Sequence, residues 1–159
     1  MKILLAIDDS RFSEPAIKAV IARCHDGDTE VRVLQVVNPP SLLSLDDKGG
    51  YDSALAEDWD EETRRANVLV GKTADTLRSH GITVTTSVEQ GDSESTIIRA
   101  AEKWHADLIV LGAQGRTGLG RLWMDGVPPA VASRARCSVE IVRIPPGREE
   151  ELAPTETSA

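Results

Sequence analysis

The chain has 159 residues, 40% hydrophobic and 28% charged, which suits one ordinary domain with a real core and argues against a second. A formal charge of −8 and a pI near 4.9 repel phosphate backbones and anionic surfaces, so neither nucleic acid nor membrane is expected as a partner. No apolar run nears the roughly 20 residues that cross a bilayer, and MKILLAIDD leads into carboxylates without a cleavage-type segment, so a cytoplasmic protein is expected.

Short β-branched or Leu-rich runs alternate with longer segments of helical period, the pattern of βαβ units and a parallel sheet. Residues 2–7 read as a first strand. Residues 13–24 read as a helix with Ser13 as N-cap, Pro15 in its first turn, and Ile17, Val20, Ile21 and Cys24 on one face. Residues 31–37 form the second strand. Residues 38–58, with Pro39, Pro40, Gly49, Gly50 and several carboxylates, are too long and irregular for a plain connector and read as a mobile insertion loop.

A second helix is expected over 59–79, with Ala66, Leu69, Val70, Thr73 and Leu77 at helical spacing and Gly81 as its C-cap signal. Residues 82–88 alternate as a third strand. Asp92 or Ser93 caps a third helix that buries Ile97, Ala101 and Trp104, and 107–111 is the most hydrophobic strand, placed near the sheet centre. A fourth helix over 128–134 and a fifth strand over 137–144, with the alternation Val139, Ile141 and, less regularly, Ile144, complete a domain of residues 1–144. The Glu-rich, Pro-bearing residues 145–159 read as a disordered acidic tail.

Between strand four and helix four, Gly112, Gly115, Gly118 and Gly120 fall within nine residues. Glycines there let backbone N–H groups approach a ligand, and the helix that follows adds a partial positive charge, a combination suited to phosphate. Asp125, at the end of the same loop, is a carboxylate where an anion would want none. It reads first as an N-cap that takes the N–H groups a phosphate would use, and second as a ligand for Mg²⁺ or Mn²⁺ bridging phosphates. Arg116 and Arg121 could neutralise phosphate or simply be solvated. A Rossmann fingerprint is absent, since AIDDSRFSE follows strand one, and so is a Walker loop, since Gly120 precedes Arg121 and Leu122. Asp8, at the carboxyl end of strand one, reads as a ligand contact and Asp9 as a turn former. His25, His80 and His105 sit near helix ends, away from the glycine loop, so no nucleophile or poised base is evident. Cys24 and Cys137 lack metal-ligand spacing and read as reduced core thiols.

The opening ILLAIDDS, QVVNPP at the end of strand two, the GD after strand three, ADLIVLGAQG and the closing CSVEIV together resemble the universal stress protein (UspA) family over nearly the whole chain. The resemblance implies a single-domain open α/β sheet of five parallel strands in the order 3-2-1-4-5, four helices on both faces, dimers or higher assemblies, and two subgroups, one of which binds ATP. It places Asp8 and the backbone near Val36 against adenine, and Gly112 and Gly115 against the ribose and first phosphates. Leu111, Gln114, Arg116, Asp125, Gly126 and Val127 complete the expected cofactor-binding residues. The family's G-x2-G-x9-G-[ST] pattern is met by Gly112 and Gly115, but Asp125-Gly126 stands in place of its second half, and Pro128 replaces a position that often carries a hydroxyl.

The expectation is a stress-response signalling or protection module with a diverged site for AMP or ATP, and Mg²⁺ or Mn²⁺ only with bound nucleotide. It is not expected to be an enzyme beyond weak ATP hydrolysis. The alternatives are a stress protein that binds no nucleotide and acts through dimerisation and partner contacts, or a slow Mg²⁺-dependent ATPase. A homodimer through residues 137–144 is expected, because an apolar last strand at the sheet edge would otherwise be unpaired. A further protein partner is left unnamed.

Overall fold

The computed structural model describes residues 1–10, 12–24, 27–39, 53–113 and 126–143, with the side chains of residues 53–56 excepted. Five strands alternate with four helices: β1 Lys2–Ala6, α1 Ser13–Arg23, β2 Glu30–Val37, α2 Ser53–Ser79, β3 Thr83–Gln90, α3 Ser93–Trp104, β4 Leu108–Gly112, α4 Val127–Arg134 and β5 Ser138–Val142. All neighbouring strands pair in parallel, in the order β3-β2-β1-β4-β5. β1 is central, with Ile3 opposite Val31 on one side and Leu108 on the other.

Because successive strand residues face opposite ways, the apolar runs of β1, β2 and β4 serve two cores. Ile3, Leu5, Val31, Val33 and Val110 pack with Ala16 and Val20 of α1 and Val70, Ala74 and Leu77 of α2. Leu4, Leu34, Ile109 and Leu111 pack with Ile97, Ala100 and Ala101 of α3 and Val131 of α4. Every residue of KILLA in β1 and LIVLG in β4 is buried or half-buried, as a strand covered on both faces requires.

Several boundaries differ from the sequence reading. α2 begins at Ser53, not near residue 59, so the insertion loop ends six residues sooner. The run SALAED contains good helix formers and no Gly or Pro. Residues 40–52 of that loop and the tail from residue 144 lie outside the described residues. Trp104 is half-buried and not a core residue, because β1 and β2 bring the Lys2 ammonium to 5.5 Å and the Arg32 guanidinium to 4.6 Å from its ring, a cation–π arrangement at the amino end of the sheet. Asp92 caps α3 by accepting from Ser95 N–H at 3.0 Å, and Gly81 follows α2 with φ +77°, both as the sequence implies. The N-cap of α1 is Phe12, and that of α4 is Gly126. Ser13 therefore does not hold the cap position expected of it, and Asp125 lies outside the described residues.

Candidate functional site

In an open parallel sheet, ligands bind beyond the carboxyl ends of the strands where the order reverses, which here lies between β1 and β4. Backbone alternation makes that gap polar. Glu30 N–H donates to Met1 C=O and Leu34 C=O accepts from Ile7 N–H, so even-numbered residues of β2 turn their backbone toward β1. The β1–β2 register ends at Ala6 opposite Leu34, and the next in the series, Val36, points its N–H and C=O where β1 has left the sheet. β4 behaves similarly. Asp107 N–H donates to Lys2 C=O and the pairing with β1 ends at Ala6 opposite Leu111, so Leu111 C=O faces the same gap. A donor–acceptor pair on one wall and an acceptor on the other can read the edge of a flat base.

β1 ends because Asp8 turns away. Its N–H goes to Ser13 Oγ at 3.0 Å instead of extending the ladder. Its Oδ1 accepts from Ser10 N–H at 3.0 Å and from the hydroxyl of Ser10, the turn by which an aspartate engages the backbone two residues on. The turn brings Phe12 against β4: a Cβ on Gly112 would lie 2.5 Å from Phe12 O and 3.0 Å from Phe12 C. Gly112 thus serves close packing of two loops as well as any phosphate approach. Ser10 and Phe12 escaped the sequence reading; the D-x-S spacing was a signal for the first, and nothing local signals the second.

Of the expected residues, Asp8, Val36, Leu111 and Gly112 converge at this end of the sheet. Leu111 is 4% exposed, so it can meet a ligand only through its backbone, while Val36 is half-buried against the α3–α4 core. Gln114, Gly115, Arg116 and Asp125 lie outside the described residues. Gly126 and Val127 open α4, where Pro128 and Pro129 occupy the next two positions. Proline carries no N–H, so this first turn offers Val127 N–H and lacks the two donors that an ordinary helix would add. The helix N-terminus is poorer for phosphate than the glycine loop alone implied.

Elsewhere, a cleft of about 460 Å³ at the opposite end of β4 and β5 is lined by Ile98, Glu102, His105, Arg136 and Cys137 among others. Cys24 and Cys137 are free and half-buried, and burial pushes both thiols above their usual range, which suits unreactive cysteines. Among the described residues, no group of His, Cys, Asp or Glu is placed to hold a metal, and no helix is long and apolar enough to cross a membrane.

The model of the universal stress protein family matches residues 1–143. The chain belongs to the universal stress protein family. Universal stress protein MJ0531 of Methanocaldococcus jannaschii is 33% identical over 91% of this chain and 82% of its own length. The solved structure of the universal stress protein UspA from Lactobacillus plantarum superposes with a TM-score of 0.77 at 23% identity, covering 90% of this chain and 97% of that one. A universal stress family protein from Arabidopsis thaliana, solved with AMP bound, has the same fold at a TM-score of 0.60 and 15% identity, over 90% of this chain and 91% of that one.

Proposed function

We propose that this universal stress protein senses an adenosine-type ligand, holding AMP through its base and ribose and gaining little from the outer phosphates of ATP. The observation that carries this reading is the pair of Val36 N–H and C=O at the gap that β1 leaves, with Asp8 at the same end of the sheet. A bound AMP in a structural relative supports the ligand class. The weak phosphate end rests on Pro128 and Pro129 in the first turn of α4 and on Asp125, whose carboxylate repels an anion at about 0.3 to 2 kcal/mol, a penalty from under twofold to about thirtyfold. With ligand bound, we propose that the protein acts as a signalling or protection module, as a homodimer joined through β5. Mg²⁺ or Mn²⁺ would enter only with ATP.

Titration calorimetry with AMP and ATP, with and without Mg²⁺, tests the reading. AMP is expected to bind detectably and at least as tightly as ATP, and Asp125→Gly with Gly126→Ser is expected to strengthen ATP alone. Tight Mg²⁺-ATP binding that Asp125→Gly weakens would instead make Asp125 a metal ligand and reopen slow ATP hydrolysis. If neither nucleotide binds either form, the protein acts without nucleotide, through its dimer and partner surfaces.

A further inference from the structure

We infer that Ser13 is a positioning residue for the ligand site, acting through Asp8; the inference rests on the nucleotide reading above. Ser13 lies at the start of α1 with 8% of its surface exposed, so water competes little for its hydroxyl. Its Oγ accepts from Asp8 N–H at 3.0 Å, donates to Asp8 C=O at 2.8 Å, and lies 3.1 Å from Asp8 Oδ1. A hydroxyl has one proton, so those last two oxygens share it. The carboxylate bond is charge-assisted and the carbonyl contact shorter, which keeps both engaged.

Two consequences follow for the site. Taking Asp8 N–H removes the donor that would have extended β1 along β4, so the Ser13 hydroxyl holds open the gap faced by Val36 and Leu111. Together with Ser10 N–H and the Ser10 hydroxyl, Ser13 brings three donors to one oxygen, Oδ1. Rotating the carboxyl group would break these contacts, and Oδ2 is the oxygen left with acceptor capacity. An ionised carboxylate oxygen only accepts, so the ligand atom that meets Oδ2 must be an N–H or O–H donor. An adenosine-type nucleoside offers both, on its exocyclic amine and on its ribose. The serine pair thereby fixes which oxygen is presented and in which direction, before any ligand arrives.

The test combines a double-mutant cycle with a ligand-free readout. Ser13→Ala is expected to weaken AMP binding about 3–10-fold, the loss of one hydrogen bond's positioning, and Ser13→Thr to restore it. In an Asp8→Ala background the same Ser13→Ala change is expected to alter affinity by less than about twofold. Loss of equal size in both backgrounds, or none in either, overturns the inference. In the free protein, side-chain couplings of Asp8 measured by nuclear magnetic resonance are expected to show one χ1 rotamer in the wild type and in Ser13→Thr, and rotamer averaging in Ser13→Ala. Averaging already present in the wild type, or couplings unchanged by Ser13→Ala, overturns it whatever AMP does. If the wild type binds no AMP while the couplings respond as expected, the nucleotide reading fails and the positioning of Asp8 stands. A Ser10→Ala/Ser13→Ala variant guards against compensation by Ser10, with melting curves confirming that each protein is folded.

Discussion

At Gly112 the side chain is forbidden by a neighbour, not by backbone conformation. A Cβ there would meet the Phe12 carbonyl oxygen at 2.5 Å, and backbone cannot swing aside as a flexible side chain can. Gly112→Ala is therefore expected to destabilise the fold by about 1–3 kcal/mol, read as a lower denaturation midpoint, and to weaken AMP binding because the β1–α1 turn must shift. Asp92 offers a contrasting residue-scale case. Hydrogen bonds from Ser95 N–H and the Ser95 hydroxyl hold its carboxyl below the usual aspartate range, so the folded state binds this proton less readily than the unfolded chain does. The cap's contribution is then complete above about pH 4 and disappears as pH falls through the lowered value. Asp92→Ala should cost about 0.5–2 kcal/mol near neutral pH, with the gap to wild type closing in acid. Asp92→Asn should keep most of the stability while losing that pH dependence. A gap that persists in acid would show that the carboxylate charge is not what caps α3.

Among the elements, the two sheet edges differ. β3 carries Thr83, Thr85, Thr86, Ser87 and Glu89, a polar edge that resists pairing, whereas β5 carries Val139, Ile141 and Val142 beside Ser138 and Glu140. An apolar edge strand is the more readily paired across a two-fold axis. Ile141→Lys is expected to shift the protein to monomer in sedimentation at micromolar concentration while leaving its melting transition cooperative. A wild type that is already monomeric under those conditions would refute the proposed dimer. Buried strands set the other extreme: Ile109 in β4 is fully buried between α3 and α4, so Ile109→Ala should cost about 2–5 kcal/mol by chemical denaturation. The strand assignments were legible from composition because β1 and β4 are apolar on both faces. The start of α2 was not, because Pro, Gly and carboxylates nearby made residues 53–58 look like more loop.

For the molecule as a whole, a charge of −8 opposes any polyanion independently of local contacts. Exposed charges are screened over about 10 Å at 0.1 M salt, so raising salt from about 20 to 200 mM should narrow the difference between AMP and ATP affinity. A difference that does not change with salt would place the discrimination in local contacts alone, at Asp125 or in the missing donors of α4.

Strand and helix order, the parallel sheet and the family were determined by the sequence alone, since hydrophobic period, capping residues and short motifs act over a few neighbouring residues. The place of Asp8 just beyond the carboxyl end of β1 was legible too, because the apolar run of that strand stops at two carboxylates. The backbone near Val36 was legible only through the family resemblance, since Val36 and Leu111 are ordinary apolar residues in sequence. That the Val36 N–H and C=O and the Leu111 C=O face the gap follows from where β1 stops relative to β2 and β4. Ser13 looked like a helix cap because Ser commonly is one, yet its hydroxyl went to Asp8, five residues earlier. Gly112 looked like a phosphate residue, and Phe12 gives it a second role, one hundred residues away along the chain. Register, close approach and the competition for a single hydroxyl proton are long-range facts, and only the tertiary structure decides them.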